Sequence, residues 1–279
     1  MSVRIVTDST CDLPPETISR YGIQVVPLFI NVGIQGYLDG IDMTRQDFYK
    51  KLPDFSIHPT TAAPSPQKFH EVYDMLAANG ASTVLSIHIS ESLSSVLNVA
   101  RMAARETESV PVTIFDSQQL SLGTGFLVET AAKMADAGQS ISEILATLNA
   151  QVHRIHVFAA IDTLEFLKRS GRMNRFIAHL GGLFQIKPIL TMFEGRPGTE
   201  RVRTRERASR RLLEMLRGVG QLERVAIVHT NAEDRVAELK ILAKEFLPVD
   251  DILVSDITPV IGAHIGPGAY GFAVMSSVG

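Results

Sequence analysis

The chain has one cysteine, Cys11, among 279 residues. No disulfide can form within it, so a disulfide-braced secreted scaffold is excluded. Charge of one sign is also missing, with 27 basic residues against 30 acidic ones and a net charge of -3. That balance offers nucleic acid no broad positive field, and an anionic partner would have to be met locally. No basic leader or long apolar run precedes the strand-like VRIVTD near the start, and a reducing, cytoplasmic location is expected. One stretch, 257–279, has no Asp, Glu, Lys or Arg, but Pro259, Pro267, His264 and several glycines interrupt it. A membrane-spanning helix needs continuous apolar character and unbroken backbone bonding, so this stretch reads as a buried, uncharged turn region. A phosphate-gripping loop is absent as well, and any ATP chemistry would come with a partner.

What is present is alternation. Apolar runs such as VRIVTD, GIQVVPLFI, STVLSIHI and VPVTIF are separated by helical patterns such as SPQKFHEVYDMLAANG and TGFLVETAAKMADAG. Strand and helix in turn predict α/β architecture with a largely parallel sheet. Ser65 before Pro66 marks a helix start, and Gly80 and Gly138 mark helix ends. From about His156 the rhythm changes: TLEFLKRSG, a glycine-interrupted FIAHLGGLF and IKPILTMFEG lead to an arginine-rich helix, the strand RVAIVHT, the helix DRVAELKILAKEF and a final strand pair. The expectation is a two-lobed α/β protein, with a mainly parallel α/β/α domain over residues 1–157 and a smaller α/β domain over 158–279. No low-complexity linker separates them, so the lobes should be tightly apposed.

Near the end, GAHIGPGAYG spells G-x-G-x-x-G through Gly266, Gly268 and Gly271. A dinucleotide loop needs a following helix and an acidic residue about 20 positions on, and only FAVMSSVG remains. The glycines can serve as tight turns between strands, but His264 among them can also donate to an anion beside free backbone amides. A satisfied core histidine is the plainer alternative. Two polar patches are possible partners: Thr60 and Thr61 before a helix, and Ser90, Ser92, Ser94 and Ser95 leading from a strand into one. Simple N-capping explains one hydroxyl per helix but not such clusters. Ser94 with His264 could also be a serine-hydrolase pair acting on acyl esters, although no G-x-S-x-G elbow is present and the acid, Asp8 or Asp116, has no local signature. Cys11 reads as a packed turn residue rather than a nucleophile. His153 and His156 have helix-face spacing but no companion ligands, so no metal is expected. Residues 196–217 carry eight arginines against three glutamates, and Arg172 stands beside Gly171 at a helix end. A run of this kind is ordinarily a solvated face, and it can also meet an anion or a partner.

Taken in order, TDSTCDLP, TTAAPSP, ISESLSSVLNVA, FDSQQLSLGTG, LEFLKRSGRM, IKPIL, RTRERA and IGAHIGPGAYG resemble the DegV family of bacterial fatty-acid-binding proteins, along essentially the whole chain. The resemblance implies a ligand in the cleft between two lobes, with a long acyl chain buried and its carboxylate fixed by hydroxyl and histidine groups. Thr61 matches the threonine of the family's T-S-Q-P-S segment, Ser94 the serine of L-S-G-T-Y, His264 the histidine of the closing glycine motif and Arg172 the arginine of G-G-R. Gly262 and Gly266 flank that histidine as supporting positions. Ala62, Ala63, Ser95, Val96, Leu97 and Ser170 depart from the pattern; they leave both hydroxyls in place and bear on the pocket floor and the choice of acyl chain. By resemblance the protein is a lipid-presenting subunit, without cofactor or ATP site of its own, whose fatty acid is phosphorylated by a separate ATP-dependent kinase subunit for phospholipid synthesis. The basic surface around Arg203, Arg205 and Arg207 is the expected place for docking the kinase or for transient contact with an anionic membrane surface.

Overall fold

The computed structural model describes residues 2–176, 187–245, 247 and 252–278. Its first sheet contains β1 (Val3–Asp8) and β2 (Gln24–Val26), and its small second sheet contains β3 (Phe29–Val32), β4 (Gln35–Leu38) and β5 (Thr60–Ala62). Strands β6 (Thr83–His88) and β7 (Val112–Asp116) complete the first sheet, in the order β2-β1-β6-β7 with every pair parallel. Central strands of a parallel sheet are covered on both faces, and β6 is accordingly buried at every position after Thr83. The helices of this half are α1 (Pro15–Arg20), α2 (Arg45–Lys51), α3 (Pro66–Ala78), α4 (Val96–Glu106), α5 (Leu122–Asp136) and α6 (Ile141–Val152). Ser65 caps α3 with Pro66 in its first turn, and Gly80 and Gly138 follow α3 and α5 with positive φ, as expected. From β1 the chain moves outward to β2 on one side, and from β6 to β7 on the other. The strand order therefore reverses between β1 and β6, and open α/β sheets bind ligands beyond the carboxyl ends of such a pair.

The second half adds β8 (Ile155–Ala160), α7 (Glu165–Arg169), α8 (Met173–Phe176), β9 (Lys187–Phe193), β10 (Arg196–Val202), α9 (Arg205–Gly218), β11 (Leu222–His229), α10 (Glu233–Ala243), β12 (Leu253–Asp256), α11 (Pro259–Ile265) and β13 (Tyr270–Ser276). Its six strands run β10-β9-β8-β13-β11-β12, antiparallel except for β11 with β12. This sheet begins at Ile155, so the division expected between 157 and 158 falls inside β8. Beyond Phe176, the FIAHLGGLF segment lies outside the described residues.

Successive side chains of a strand face opposite sides, and here the two sides meet different cores. Phe158, Ile227, Phe272 and Val274 pack with Leu212 and Leu216 of α9. Val157, Met192, Val228 and Ala273 join the core of the first lobe. One hydrophobic core thus runs from the first sheet to the inner face of the second.

The stretch expected to be a turn region is instead the helix α11 followed by β13. Pro259 is suited to a first helical turn, and Gly266 ends the helix at φ 77. Its backbone there favours glycine, and a Cβ would also strike the Phe166 ring. No helix among the described residues is long and apolar enough to cross a membrane.

Candidate functional site

Thr61 lies on β5 rather than immediately before a helix, opposite Ile30 of β3. The alternation of the strand turns Thr61 inward while Thr60 and Ala62 are exposed. α11 brings His264 to it from the other half of the chain: Thr61 Oγ1 and His264 Nε2 are 2.9 Å apart. A Cβ at Gly262 would overlap the Tyr49 hydroxyl, so glycine is what lets α11 lie against α2. Ser94 stands in the loop between β6 and α4, where its amide donates to Ser90 O at 3.1 Å and its Oγ accepts from Val96 N at 3.4 Å. The Ser94 hydroxyl proton remains available to an acceptor. Arg172, half-buried after α7, donates to Ser170 O at 2.9 Å through one of its nitrogens.

Thr61, Ser94, Arg172 and His264 line one cavity of about 360 Å³. Thr10 adds a third hydroxyl, already donated to Asp8, while Leu28, Ile89 and Leu93 are among the apolar walls. Leu120, Phe176, Ile261 and Ile265 are shared with a smaller chamber of about 40 Å³, whose other walls include Val157, Leu190 and Met192. A polar rim therefore opens toward the apolar inner face of the second sheet. The volume is at the scale of small-molecule sites, about 300–1,000 Å³.

His264 is neutral, its pKa pushed down to about 3 by burial and then by the positive charge of Arg172, His58 and Arg175. Burial, with Arg175 beside it, also lowers the pKa of Arg172. His264 Nδ1 is buried with no partner among the described residues. Hydrogen on Nε2 satisfies this geometry best: Nε2–H donates to Thr61 Oγ1, and the orphan Nδ1 is an acceptor rather than a more costly stranded donor. Thr61 then keeps its own hydroxyl proton. The same cationic field that keeps the imidazole neutral favours an anion in the cavity.

Several expected features are not assembled. The amides after His264 are not free for an anion: Gly266 N donates to Gly262 O, Gly268 N to Thr230 O and Ala269 N to Thr230 Oγ1. Gly262 and Gly266 shape the packing of α11 and do not line the cavity. Arg205 pairs with Asp162 at 3.3 Å and Arg203 is exposed, and neither lines the cavity. The geometry does not assemble the Ser94–His264 hydrolase pairing, because Thr61 occupies Nε2 and no carboxylate among the described residues backs the ring. Asp116 instead accepts from Gln118 N, and Asp8 belongs to another histidine. Cys11 is buried and its thiol is pushed up to about 12, mainly by burial, so it offers no thiolate. His153 pairs with Glu194, His156 stacks on Phe193, and no group of three metal-ligating side chains occurs among the described residues.

A Ser–His–Asp relay missed in the sequence does exist: Ser86 Oγ is 2.7 Å from His88 Nε2, and His88 Nδ1 is 2.9 Å from Asp8 Oδ2. All three are sealed from solvent, and Asp8 also accepts from Thr10 and from Ile89 N. The relay braces the ends of β1 and β6 beneath the cavity; the polar Ser86 and His88 within an otherwise apolar strand were its signal.

A sequence model described as "Uncharacterised protein, DegV family" matches residues 2–277. A DegV domain-containing protein of Deinococcus radiodurans is 37% identical over 280 residues, covering 98% of each chain. Among solved structures, a DegV family protein from Thermus thermophilus, described for its fatty acid binding, is 38% identical with a TM-score of 0.90, covering 99% of this chain and all, 100%, of that one. DegV from Bacillus subtilis, described as a fatty acid binding protein, is 28% identical with a TM-score of 0.89 and the same coverage.

Proposed function

Because the chain belongs to the DegV family, we propose that it binds a long-chain fatty acid between its lobes and presents the carboxylate to a separate ATP-dependent kinase subunit. The observation that carries this reading is that Thr61, Ser94, Arg172 and His264 line one cavity, which shares Leu120, Phe176, Ile261 and Ile265 with a small apolar chamber against the inner face of the second sheet. Thr61 and Ser94 donate to the carboxylate, His264 fixes the Thr61 hydroxyl, and Arg172 supplies the attracting charge. Hydrogen bonds to a charged group are the stronger class and set orientation.

Affinity comes mainly from the tail. At about 0.8 kcal/mol per methylene, a chain of about 14 methylenes contributes on the order of 11 kcal/mol before ordering and association costs are subtracted. Phosphoryl transfer to the carboxylate would give a reactive acyl phosphate, which a water-poor cavity protects. The exposed arginines Arg203, Arg205 and Arg207 at the start of α9 are the proposed docking surface for the kinase or for transient contact with an anionic membrane.

Organic extraction of the purified protein followed by mass spectrometry tests the ligand. A stoichiometric C14 to C18 fatty acid is expected, and repeated absence of lipid, with no binding of added oleate, would sink the reading. For the second half of the proposal, oleate-loaded protein mixed with a fatty acid kinase subunit and ATP should yield acyl phosphate, and Arg205→Glu should slow that transfer without releasing the oleate.

A further inference from the structure

We propose that Asp12 is a positioning residue for His264: its carboxylate holds the first turn of α11 and thereby sets where the imidazole stands. The proposal rests on the fatty-acid reading above. Asp12 belongs to the first lobe, just after β1, and its backbone is left-handed at φ 53, an unusual state for a residue other than glycine. Non-glycine residues held this way persist where their surroundings over-determine them. The surroundings here are four anchors from three other parts of the chain.

Asp12 Oδ1 accepts from the Thr258 amide at 2.9 Å and faces Arg45 Nη2 at 3.2 Å. Its Oδ2 accepts from Ser121 Oγ at 2.6 Å, and its backbone carbonyl accepts from Ser255 Oγ at 2.9 Å. Thr258 is the residue that caps α11, and its side chain makes no cap of its own because it donates to Asp39. The amide that begins the helix is therefore held by a carboxylate from the opposite lobe. Arg45 reinforces the same joint by donating to the Asp256 carbonyl, and Tyr49 does so by donating to Ile257 O at 2.8 Å. Ser121, another residue tied to Asp12, stands at the N-terminus of α5 and also has a positive φ of 51. It follows Leu120, which lines the acyl cavity.

Asp12 does not touch that cavity. It lines a separate one of about 700 Å³, with Asp39, Arg45, Asp256 and Thr258 among its walls, and the two share no lining residue. The most direct route from Asp12 to the head-group residues is α11, whose seven residues carry His264 in the last turn. The carboxylate is also held at a cost to folding: burial pushes Asp12 up to about 6, against the pull of Arg45, Ser121 and the Thr258 amide, with Asp39 pushing the same way as burial. A neutral residue of the same shape would avoid that burial penalty. The side chain is thus better explained by the acceptor oxygen it holds against α11 than by what its charge adds to stability.

The test compares delipidated wild-type protein with Asp12→Ala and Asp12→Asn at pH 7.5. The measurements are oleate affinity, melting temperature and the nitrogen shifts of the His264 imidazole by NMR. Asp12→Ala should weaken oleate binding roughly tenfold, the loss expected when one head-group hydrogen bond is spoiled by a displaced His264. Its His264 signals should move away from those of the wild type. Asp12→Asn keeps an acceptor for Thr258 and a partner for Ser121, so it should bind oleate within about threefold of wild type, although losing the charge beside Arg45 should lower its melting temperature. Unchanged affinity and unchanged His264 signals in Asp12→Ala would overturn the proposal, and so would affinity that falls in Asp12→Asn only in step with its melting temperature. If Asp12→Ala does not fold, Asp12→Ser, which also removes the carboxylate that accepts from Thr258 N, decides by the same two readouts: weaker oleate binding and moved His264 signals are expected, and unchanged values would overturn the proposal. Failure of wild-type protein to bind oleate would instead overturn the fatty-acid reading, and the His264 signals would then decide the role of Asp12 alone.

Discussion

Each candidate residue combines a chemical group with a fixed setting, and the setting decides what the group can do. His264 is the clearest instance. A histidine among glycines admits several roles in sequence, but burial and the nearby Arg172 leave it neutral, with Thr61 on one nitrogen. In the unfolded chain this imidazole takes up a proton near its ordinary value of 6.5, whereas in the folded protein it does so only near 3. Its contribution to stability is therefore fully present above about 6.5 and is lost progressively as pH falls toward 3. His264→Gln should remove that share of the acid-side loss. Melting curves between pH 7.5 and 4 should then fall less steeply for the variant, and parallel curves would refute the assignment of a depressed pKa. At Thr61 the isosteric Thr61→Val deletes the hydroxyl with little change of shape, and removing a hydrogen bond to a charged group costs about 1.5–3 kcal/mol. Oleate affinity measured by displacement of a fluorescent fatty acid should drop roughly tenfold or more, and the delipidated protein should melt lower, because the buried His264 Nε2–H loses its acceptor.

At the scale of elements, the strands and helices that repeat were legible and the ones that depend on distant contacts were not. VRIVTD and STVLSIHI announce buried strands through their apolar runs, and the starts and stops of α3 and α5 follow from Ser65, Pro66, Gly80 and Gly138. PVIGAHIGPG reads as turns because glycine and proline usually punctuate. It forms α11 because Gly262 fits beneath the Tyr49 hydroxyl and Asp12 holds the Thr258 amide, contacts more than 200 positions away in sequence. The expected anion nest fails for a similar reason: Thr230, from the end of β11, takes the amides of Gly268 and Ala269. Gly262→Ala tests how closely α11 must lie. The added methyl should force the helix off Tyr49 and destabilise the protein by roughly 1–3 kcal/mol, as overpacking does, with oleate affinity falling as His264 leaves Thr61. Strand β8 offers a subtler handle, since Val157 and Ala159 face the inner chamber while Phe158 faces the α9 side. Ala159→Leu should fill that chamber, and mass spectrometry of the co-purified lipid should show a shift to shorter acyl chains; an unchanged profile would mean that the tail ends elsewhere.

For the whole molecule, the two lobes visible in the sequence do not correspond to two cores. The first core takes in the inner face of the second sheet, and only its outer face packs separately against α9 and α10. A cavity set within a shared core has a thermodynamic consequence. Ligand that binds only the native state stabilises it by about 2.7 kcal/mol at a free concentration of 100 Kd, and here the cavity walls come from both lobes. Thr61, Ser94 and Leu28 come from the first, and Arg172, Ile261 and His264 from the second. Calorimetry of the delipidated protein should show a single cooperative transition, and oleate should move that whole transition upward as its concentration rises. Two resolved transitions, with oleate shifting one of them alone, would mean that the acyl chain is held by one lobe and that the continuous core does not couple the pair. Whether the ligand joins the halves in this way also bears on presentation, because a carboxylate gripped from both sides is freed only when both grips loosen. Oleate-loaded protein should accordingly release its ligand slowly to a vesicle acceptor, and Ser94→Ala, which removes one grip on the carboxylate, should speed release roughly tenfold while leaving the single transition intact.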